Sequence, residues 1–319
     1  MKSILIVGQT PDPHITSVSS GLRRMGHSVL LFDMNNPDRT GISLSYSPKS
    51  GPKGAFLRGS KEFDLSQLDA VWWRLKPPLF RSQVSEKAVV WSEFVIREWM
   101  TILQSLDSFT PKARWVNPRS SDMRSGSKPA QLLLAREVGF QIPPSLITNI
   151  PRQIVSFVRD YEEDAVYKVL TWYAEYPNRL TFTSRVGLTD VRRKSGSIKI
   201  APGIFQQRIE KACEIRATTV GKKIFCARLD SQAREDTKLD WRRNSYALSY
   251  SEHTLPRRVE RCIRDMNERL GLLYAAYDLI LTPAGEYCFL EVNPLGQWLW
   301  LEEKLGLPIS KAIADLLAS

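Results

Sequence analysis

The chain has 319 residues, of which 43% are hydrophobic and 25% are charged, a composition that excludes disordered and fibrous proteins. Its four cysteines form no CxxC pair, which argues against a zinc site or a disulfide framework and favours a reducing, cytoplasmic setting. The net charge of +11 fits nucleic acid, nucleotide phosphates or an acidic peptide, and equally a basic surface with no partner.

The N-terminal part of the chain has the pattern of a βαβ unit, which favours a parallel sheet. Residue Gly8 follows the first strand without the other glycines of a GxGxxG motif, so a dinucleotide site is not expected there. The predicted elements are strands at 3–8, 28–33 and 69–73, a helix from Ile15 to Met25, a surface loop over 37–62, and a helix over 86–106.

No segment has the length and apolar character of a membrane span. The 86–106 helix is interrupted by Glu93, Arg97 and Glu98, whereas a span needs about 20 apolar residues. The five-residue apolar run near the N-terminus is too short for a signal peptide. We therefore expect a protein that is neither exported nor inserted in a membrane.

Three α/β units are predicted in series, over 1–117, 118–205 and 206–319, with a linker at 119–127. Residues Gly221 and Lys222 should form the turn of a hairpin. The elements predicted after the linker are helices at 128–140, 151–160 and 256–271 and from 308; strands at 143–148, 165–170, 205–209, 214–220, 223–229, 273–281 and 286–292; and further strands or a hairpin within 180–200.

The last two predicted strands bring two acids together. A loop centred on Ala284 and Gly285 places Asp278 opposite Glu291, with Asn293 on the same face. Opposed Cβ atoms are about 5 Å apart, where like charges repel. Two carboxylates and an amide oxygen suit Mg²⁺, whereas the alternative is two exposed acids on an edge hairpin. A bulge would shift this register by one residue.

With Asp278, the run Glu-Val-Asn-Pro-Leu-Gly-Gln-Trp-Leu-Trp from Glu291 to Trp300, and two upstream lysines, the chain resembles the ATP-grasp carboxylate–amine ligases over nearly its full length. More narrowly, it is similar to those of the microviridin (graspetide) type, which close rings in ribosomally made peptides. The resemblance implies an α/β ATP-grasp fold, with a pre-ATP-grasp domain, a central lid domain and a C-terminal α+β domain built on an antiparallel sheet. It also implies ATP and Mg²⁺ as cofactors.

The resemblance assigns roles to individual side chains. Nucleotide would be bound by the phosphate lysines, an adenine-reading hinge and an acid at the ribose, which are Lys128, Lys168, Gln206, Gln207, Ile209 and Glu214. Arginines and an amide near the phosphates and the bound carboxylate would be Arg216, Arg228, Arg242 and Asn244. The metal ligands would be Asp278, Glu291 and Asn293. For each lysine and each arginine alone, an ordinary surface side chain is the alternative.

The implied reaction activates Asp or Glu side chains of a precursor peptide as acyl phosphates and joins them to Ser or Thr hydroxyls or Lys amines. The acidic peptide would carry a leader segment that docks near the aromatic and basic stretch from Trp172 to Lys194, for which a lid hairpin with ordinary exposed aromatics is the alternative. The protein would act in the cytoplasm and could form a homodimer. No nucleic-acid or membrane partner is expected.

Three other functional classes are the alternatives. A covalent hydrolase has little support, since the three histidines lie in no nucleophile motif. A nucleic-acid-binding protein would need a helix-turn-helix, zinc or RNP signature, which the sequence lacks. A ligase that adds a free amino acid to a peptide or small acid uses the same ATP residues. The missing Gly-Gly pair after Asn244 weakens that alternative more than it weakens a peptide cyclase.

Overall fold

The computed structural model describes residues 1–49, 51–75, 89–171, 174–175 and 179–319. Within these ranges, parallel and antiparallel sheets are combined with helices, as the predicted α/β class requires. No helix among the described residues is long and apolar enough to cross a bilayer. The first residues of the predicted 86–106 helix lie outside the described ranges.

The N-terminal part is built on a parallel sheet in the order β2-β1-β6-β7, as the βαβ pattern predicts. The hydrophobic residues of β1 from Ile4 to Val7 are fully buried. The elements are β1 Ser3–Gly8, α1 Pro13–Arg24, β2 Ser28–Asp33, β6 Ala70–Trp73, α2 Val89–Gln104, α3 Leu106–Phe109 and β7 Arg114–Val116.

The prediction of a surface loop over 37–62 is wrong. This segment forms an antiparallel sheet of β3 Gly41–Ser45, β4 Lys53–Arg58 and β5 Lys61–Asp64. Its apolar residues, including the fully buried Phe56, pack on the core of the parallel sheet. The many polar, glycine and proline residues between these apolar residues concealed the strand pattern in the sequence.

The predicted linker at 119–127 is also largely wrong, because α4 spans Arg119–Ser125. The serines that suggested a flexible tract are partly inside the protein: Ser121 and Ser125 are buried, and the Ser125 hydroxyl donates to the Asp122 carbonyl at 3.0 Å. Gly271 lies against Ser121, so closely that an added Cβ would meet its Oγ at 2.7 Å. Small side chains here permit close packing rather than flexibility.

The central part is an antiparallel sheet in the order β12-β9-β13-β8. Its elements are α5 Lys128–Glu137, β8 Ser145–Thr148, α6 Pro151–Asp160, β9 Ala165–Lys168, β10 Ala174–Glu175, β11 Arg179–Leu180, β12 Ser184–Val186, α7 Leu188–Arg193, α8 Ser195–Ile200 and β13 Gly203–Gln207. Beyond β12, the strands predicted within 180–200 are helices α7 and α8 instead. The domain boundaries stay predictions, and β13 crosses the one at 205.

The C-terminal part is a five-stranded antiparallel sheet in the order β16-β15-β14-β17-β18. Its elements are β14 Cys213–Val220, β15 Lys223–Leu229, β16 Tyr250–Glu252, α9 Arg257–Leu270, β17 Tyr274–Leu281, β18 Tyr287–Asn293, α10 Leu299–Leu305 and α11 Ile309–Ala318. The predicted β14–β15 turn is confirmed, with Val220 paired to Lys223. Helix α10, in the run after Gln297, was not predicted.

Two apolar clusters fix the C-terminal sheet. One lies between this sheet and helices α5 and α9 and includes Ile215, Tyr277, Leu279 and Phe289. The other covers part of the opposite face and joins it, through Trp298 and helices α10 and α11, to β1 and α1. Because the second cluster covers only part of that face, the side chains of Glu214, Arg216, Asp278 and Glu291 lie beside it.

Candidate functional site

The predicted facing of Asp278 and Glu291 is confirmed, since they are directly paired across β17 and β18. Nearer the turn the register is offset by one residue, so that Leu279 pairs with Phe289. Leu290 is the extra residue, and this bulge restores the pairing at the acids. On β18, Phe289 is fully buried on the apolar face, whereas the bulged Leu290 is half-buried.

Each acid of this pair has its own cation. The Arg216 Nη1 donates to both oxygens of Asp278, at 2.9 and 3.0 Å, and Arg216 pairs with Asp278 across β14 and β17. The Lys128 Nζ lies 3.1 Å from the Glu291 Oε2. Lys128 is the first residue of α5, so elements far apart in sequence meet here. These cations offset the repulsion that the facing carboxylates create.

The pKa values of the two carboxyls shift in opposite directions. Burial raises the pKa of Asp278, where the nearby charge of Glu291 adds to the rise and Arg216 opposes it. Burial also acts to raise the pKa of Glu291, but Lys128 and Arg242 hold it below its usual value. Glu291 is therefore the carboxylate that stays ionised in this pair, while the ionised form of Asp278 depends on its cation.

The second predicted phosphate lysine, Lys168, belongs to the same cluster. It is half-buried on β9, and burial lowers its pKa to about 8 although Glu291 and Asp240 favour the charged form. The Lys128 Nζ donates to the Val169 carbonyl at 3.2 Å, so the two lysines are neighbours. Two neighbouring lysines, one of them with a lowered pKa, make a site that favours an anion.

The donors at this hairpin suit a hard divalent cation. Asp278 and Glu291 supply carboxylate oxygens, and Asn293 supplies an amide oxygen at the exposed end of β18, where it accepts from the Leu295 N–H at 2.9 Å. Among the described residues, no group of three or more His, Cys, Asp or Glu could hold a metal. Two carboxylates and an amide leave several positions for water or phosphate, which is how Mg²⁺ is usually bound.

An unsatisfied acceptor lies at the predicted ribose position. Glu214 is buried and forms an ion pair with Lys211, which also donates to the Leu239 carbonyl at 3.1 Å. The other carboxylate oxygen, Oε2, is buried without a hydrogen-bond partner among the described residues. A buried acceptor of this kind is costly unless a donor reaches it, and a ligand hydroxyl would be such a donor.

The predicted adenine hinge follows the central sheet. Gln206 is buried on β13 and its Nε2 donates to the Ser145 Oγ at 2.8 Å, while the Gln207 N–H donates to the Pro144 carbonyl at 3.0 Å. Ile209 is half-buried in the connection to β14. The side chain of Gln206 is used inside the protein, so base recognition at this hinge would depend on backbone groups.

The two residues of the predicted pair, Arg242 and Asn244, have different surroundings in the structure. Arg242 lies close enough to the acids for its charge to help lower the pKa of Glu291 and to oppose the rise in the pKa of Asp278. Asn244 instead donates through its Nδ2 to the exposed Asp236, at 2.8 Å. Arg242 is thus brought to the cluster. The described contact of Asn244 indicates instead a role in shaping the turn over Trp241–Ala247.

The structure does not bring Arg228 to the cluster. Residues paired across an antiparallel ladder share a face, and Arg228 pairs with Ile215, whereas Arg216 pairs with Ala227. Ile215 packs in the cluster beneath helix α9, so Arg228 is exposed on the opposite face from Arg216. Its predicted contact with phosphate conflicts with this alternation.

The Gly-Gln-Trp run is fixed by groups that the sequence did not single out. The buried Arg74 donates through Nη1 to the carbonyls of Leu295 and Gly296, at 2.8 and 2.9 Å, and lies over the Trp298 ring at 4.7 Å. Tyr274 donates to the same Gly296 carbonyl at 2.8 Å. The only local signal for Arg74 was a charged residue directly after a buried strand.

Glycine is required at position 296 by close packing. An added Cβ would lie 2.3 Å from the Ala276 Cβ and 2.9 Å from the Arg216 Nη2. The same Nη2 donates to the Gln297 carbonyl at 3.2 Å. The run is therefore pressed against the acid-bearing strand and the arginine that pairs with Asp278.

The proposed peptide-docking stretch from Trp172 to Lys194 is only partly described. Its residues 172–173 and 176–178, which include Trp172, Tyr173 and Tyr176, lie outside the described residues. Arg185 is exposed on β12, and α7 ends in the exposed basic residues Arg192 and Arg193. The described part is thus a basic surface beside the central sheet.

No protein-family model matches the sequence, and no curated protein matches it. Among solved structures, it is similar to a RiPP-associated ATP-grasp ligase of Chryseobacterium gregarium in complex with ADP and a leader and core peptide (28% identity, TM-score 0.88, covering 100% of this chain and 97% of that one). It is also similar to two macrocyclases of Microcystis aeruginosa MRC: MdnC bound with its precursor peptide MdnA (29%, 0.86), and MdnB (29%, 0.79), each with 99% of both chains covered.

Proposed function

We propose that this chain, an ATP-grasp ligase of the RiPP-associated type, uses ATP to close rings in an acidic ribosomal precursor peptide. The observation that supports this most is the facing pair Asp278 and Glu291, each with a cationic partner. The chain that carries this pair aligns end to end with peptide-modifying ligases. The Chryseobacterium ligase was solved in complex with ADP and a leader and core peptide, and MdnC with a precursor peptide.

The chain's own residues would divide the work of phosphoryl transfer. Asp278, Glu291 and Asn293 would hold Mg²⁺, which when bound neutralises phosphate charge and orients ATP. Lys128 and Lys168 would bind phosphate oxygens as point charges. A peptide carboxylate attacks the γ-phosphate to give an acyl phosphate and ADP, and a hydroxyl or amine then displaces phosphate to form the ester or amide. This chemistry needs positioning and charge stabilisation rather than a protein nucleophile.

The remaining site residues would bind the rest of the nucleotide. Glu214 would accept from the ribose through its unpartnered Oε2, and the hinge of Gln206, Gln207 and Ile209 would contact the base. Arg216 and Arg242 would stabilise charge on the transferred phosphoryl group or the bound carboxylate. Roles at the phosphates for Asn244 and Arg228 stay predictions from the family resemblance.

The product separates this function from its main alternative. The protein, ATP, Mg²⁺ and an acidic precursor peptide encoded beside its gene should yield peptide lighter by one water molecule for each ring, together with ADP. A gain in mass equal to an added free amino acid less water would instead support the amino-acid ligase. Precursor of unchanged mass, with protein that binds ADP normally, would contradict the peptide substrate.

Further proposals concern the partner and the setting. The leader would dock on the basic surface that includes Arg185, Arg192 and Arg193, which suits an acidic peptide. The protein would act in the cytoplasm and could form a homodimer, which size-exclusion chromatography with light scattering would test. Leader binding that does not weaken with salt would contradict an electrostatic docking surface.

Nucleotide binding should take up a proton at alkaline pH. The pKa of Lys168 is about 8 because of burial, and phosphate would raise it, so ADP binding at about pH 8.5 should transfer buffer protons to Lys168. Calorimetry in two buffers of different ionisation enthalpy measures this uptake. Lys168→Met should abolish it. Uptake that is equal in this variant and in the wild type would assign the proton to another group.

A further inference from the structure

The backbone of Thr183 is held on both sides by the turn that contains Arg242, a short 3₁₀ segment over Trp241–Ala247 that Asp240 caps. The Thr183 N–H donates to the Asp240 carboxylate at 3.0 Å, and the Arg243 Nη2 donates to the Thr183 carbonyl at 3.2 Å. The Arg243 guanidinium also lies 5.1 Å from the centroid of the Phe182 ring. Asp240 and Thr183 are both buried. We call these contacts the clamp.

The same carboxylate orients Arg242. Asp240 accepts from the Arg242 Nε at 2.9 Å, its Nη2 at 2.6 Å and its backbone N–H at 3.2 Å. Burial alone would raise the pKa of Asp240, but the bonds and charge of Arg242 hold it well below its usual range. One side chain thus binds both the central part of the chain and an arginine of the candidate site.

The clamp also connects to the phosphate lysine. Thr183 directly precedes β12, and Ser184 of β12 pairs with Tyr167, the neighbour of Lys168 on β9. Before Asp240, the chain is anchored by the hydrogen bond from Lys211 to the Leu239 carbonyl. Lys168 and Arg242 therefore belong to two elements whose separation the clamp fixes.

We infer that Asp240 is a positioning residue, which holds Arg242 beside the Asp278–Glu291 pair while the central sheet is docked on the turn. The inference rests on the proposed function, since it assigns Asp240 a part in the same reaction. When the central sheet separates from the turn, Asp240 loses the Thr183 N–H and gains water, and Arg242 is no longer fixed in one orientation. The reaction therefore takes place only while the central sheet is docked on the turn.

The decisive variant is Asp240→Asn, which keeps the size of the side chain but removes its charge and one acceptor oxygen. We expect kcat for ring formation to fall by roughly 100-fold, as small misplacements of site groups can cause, with little change in the KM for ATP. Arg243→Ala removes the other half of the clamp at an exposed position and should give a smaller loss in kcat, again with the KM retained. A purely structural role would lower thermal stability and affect both constants.

Arg234→Ala is the matched control, because Arg234 is an arginine of the same turn region that contacts Asp236 and lies outside the clamp. It should leave kcat and KM unchanged. Amide exchange of the 181–186 segment, measured without substrates, should be faster in Asp240→Asn and Arg243→Ala and unchanged in Arg234→Ala. This readout detects the clamp whether or not a peptide substrate is known.

Wild-type kcat in folded Asp240→Asn would overturn the inference. If that variant does not fold, Arg243→Ala decides: faster exchange with an unchanged kcat would also overturn it. Suppose that the wild type binds ADP and exchanges its 181–186 amides more slowly than the two clamp variants, but closes no ring in any precursor. That result would contradict the proposed function and not the clamp.

Discussion

Glu291→Gln is expected to abolish turnover and leave the protein folded. Glu291 faces Asp278 and contacts Lys128 at 3.1 Å, and the lowered pKa of its carboxyl keeps it ionised. The amide loses one hard oxygen ligand and its charge. If several kcal/mol of transition-state stabilisation depend on this ligand, and each ~1.4 kcal/mol is tenfold in rate, the loss is roughly 10³-fold.

The matched control is Glu286→Gln, beside the turn of the same hairpin. The Glu286 carboxylate is exposed and accepts from the Gln141 Nε2 at 2.8 Å, away from the facing pair. Mass spectrometry of the peptide product measures turnover, and calorimetry measures the melting temperature. Near-normal turnover in Glu291→Gln would rule out its metal role, and equal losses in both variants would mean that the hairpin as a whole is sensitive to such changes.

The sequence predicted the facing acids correctly although its register failed nearer the turn. Alternation and a Pro-Ala-Gly turn were enough to pair Asp278 with Glu291, because a half-buried hairpin strongly specifies its faces. They could not predict the bulge at Leu290, because an apolar side chain is equally compatible with a core position and with a bulge position. The offset at Leu279 and the bulge cancel, so the pairing at the acids holds.

Residues that act over long distances in sequence were not predictable. Arg74 contacts carbonyls 221 and 222 residues later, and Asp240 binds Thr183, which lies 57 residues earlier, so neither has a local pattern. The position of Arg228 was predictable: a turn at Gly221-Lys222 pairs it with Ile215, on the other face from Arg216. The family resemblance nevertheless assigned Arg228 to the phosphates, because an arginine is expected near them.

Arg216→Ala is expected to have the second large effect, on both stability and turnover. Arg216 is buried, its Nη1 donates to both oxygens of Asp278, and its Nη2 donates to the Gln297 carbonyl at 3.2 Å. Removing one partner of a buried ion pair leaves the other charge uncompensated, which costs about 3–5 kcal/mol. Chemical denaturation and ring formation measure the two losses.

Arg228→Ala is the paired comparison, because it makes the same change on the opposite face of the same β14–β15 hairpin. At this exposed position the free energy of unfolding should change by no more than about 0.5 kcal/mol, and turnover should be retained. Equal loss of turnover in both variants would restore the phosphate role that the family resemblance assigned to Arg228.

The stability deficit of Arg216→Ala should shrink as the pH falls. Burial already raises the pKa of Asp278, and without Arg216 the folded-state pKa rises further above the unfolded value. The folded state then binds a proton more tightly than the unfolded chain, so this group favours folding as the pH drops through the raised pKa. A deficit that is constant with pH would mean that the lost stability comes from packing and the Gln297 contact, and not from an unpaired Asp278 charge.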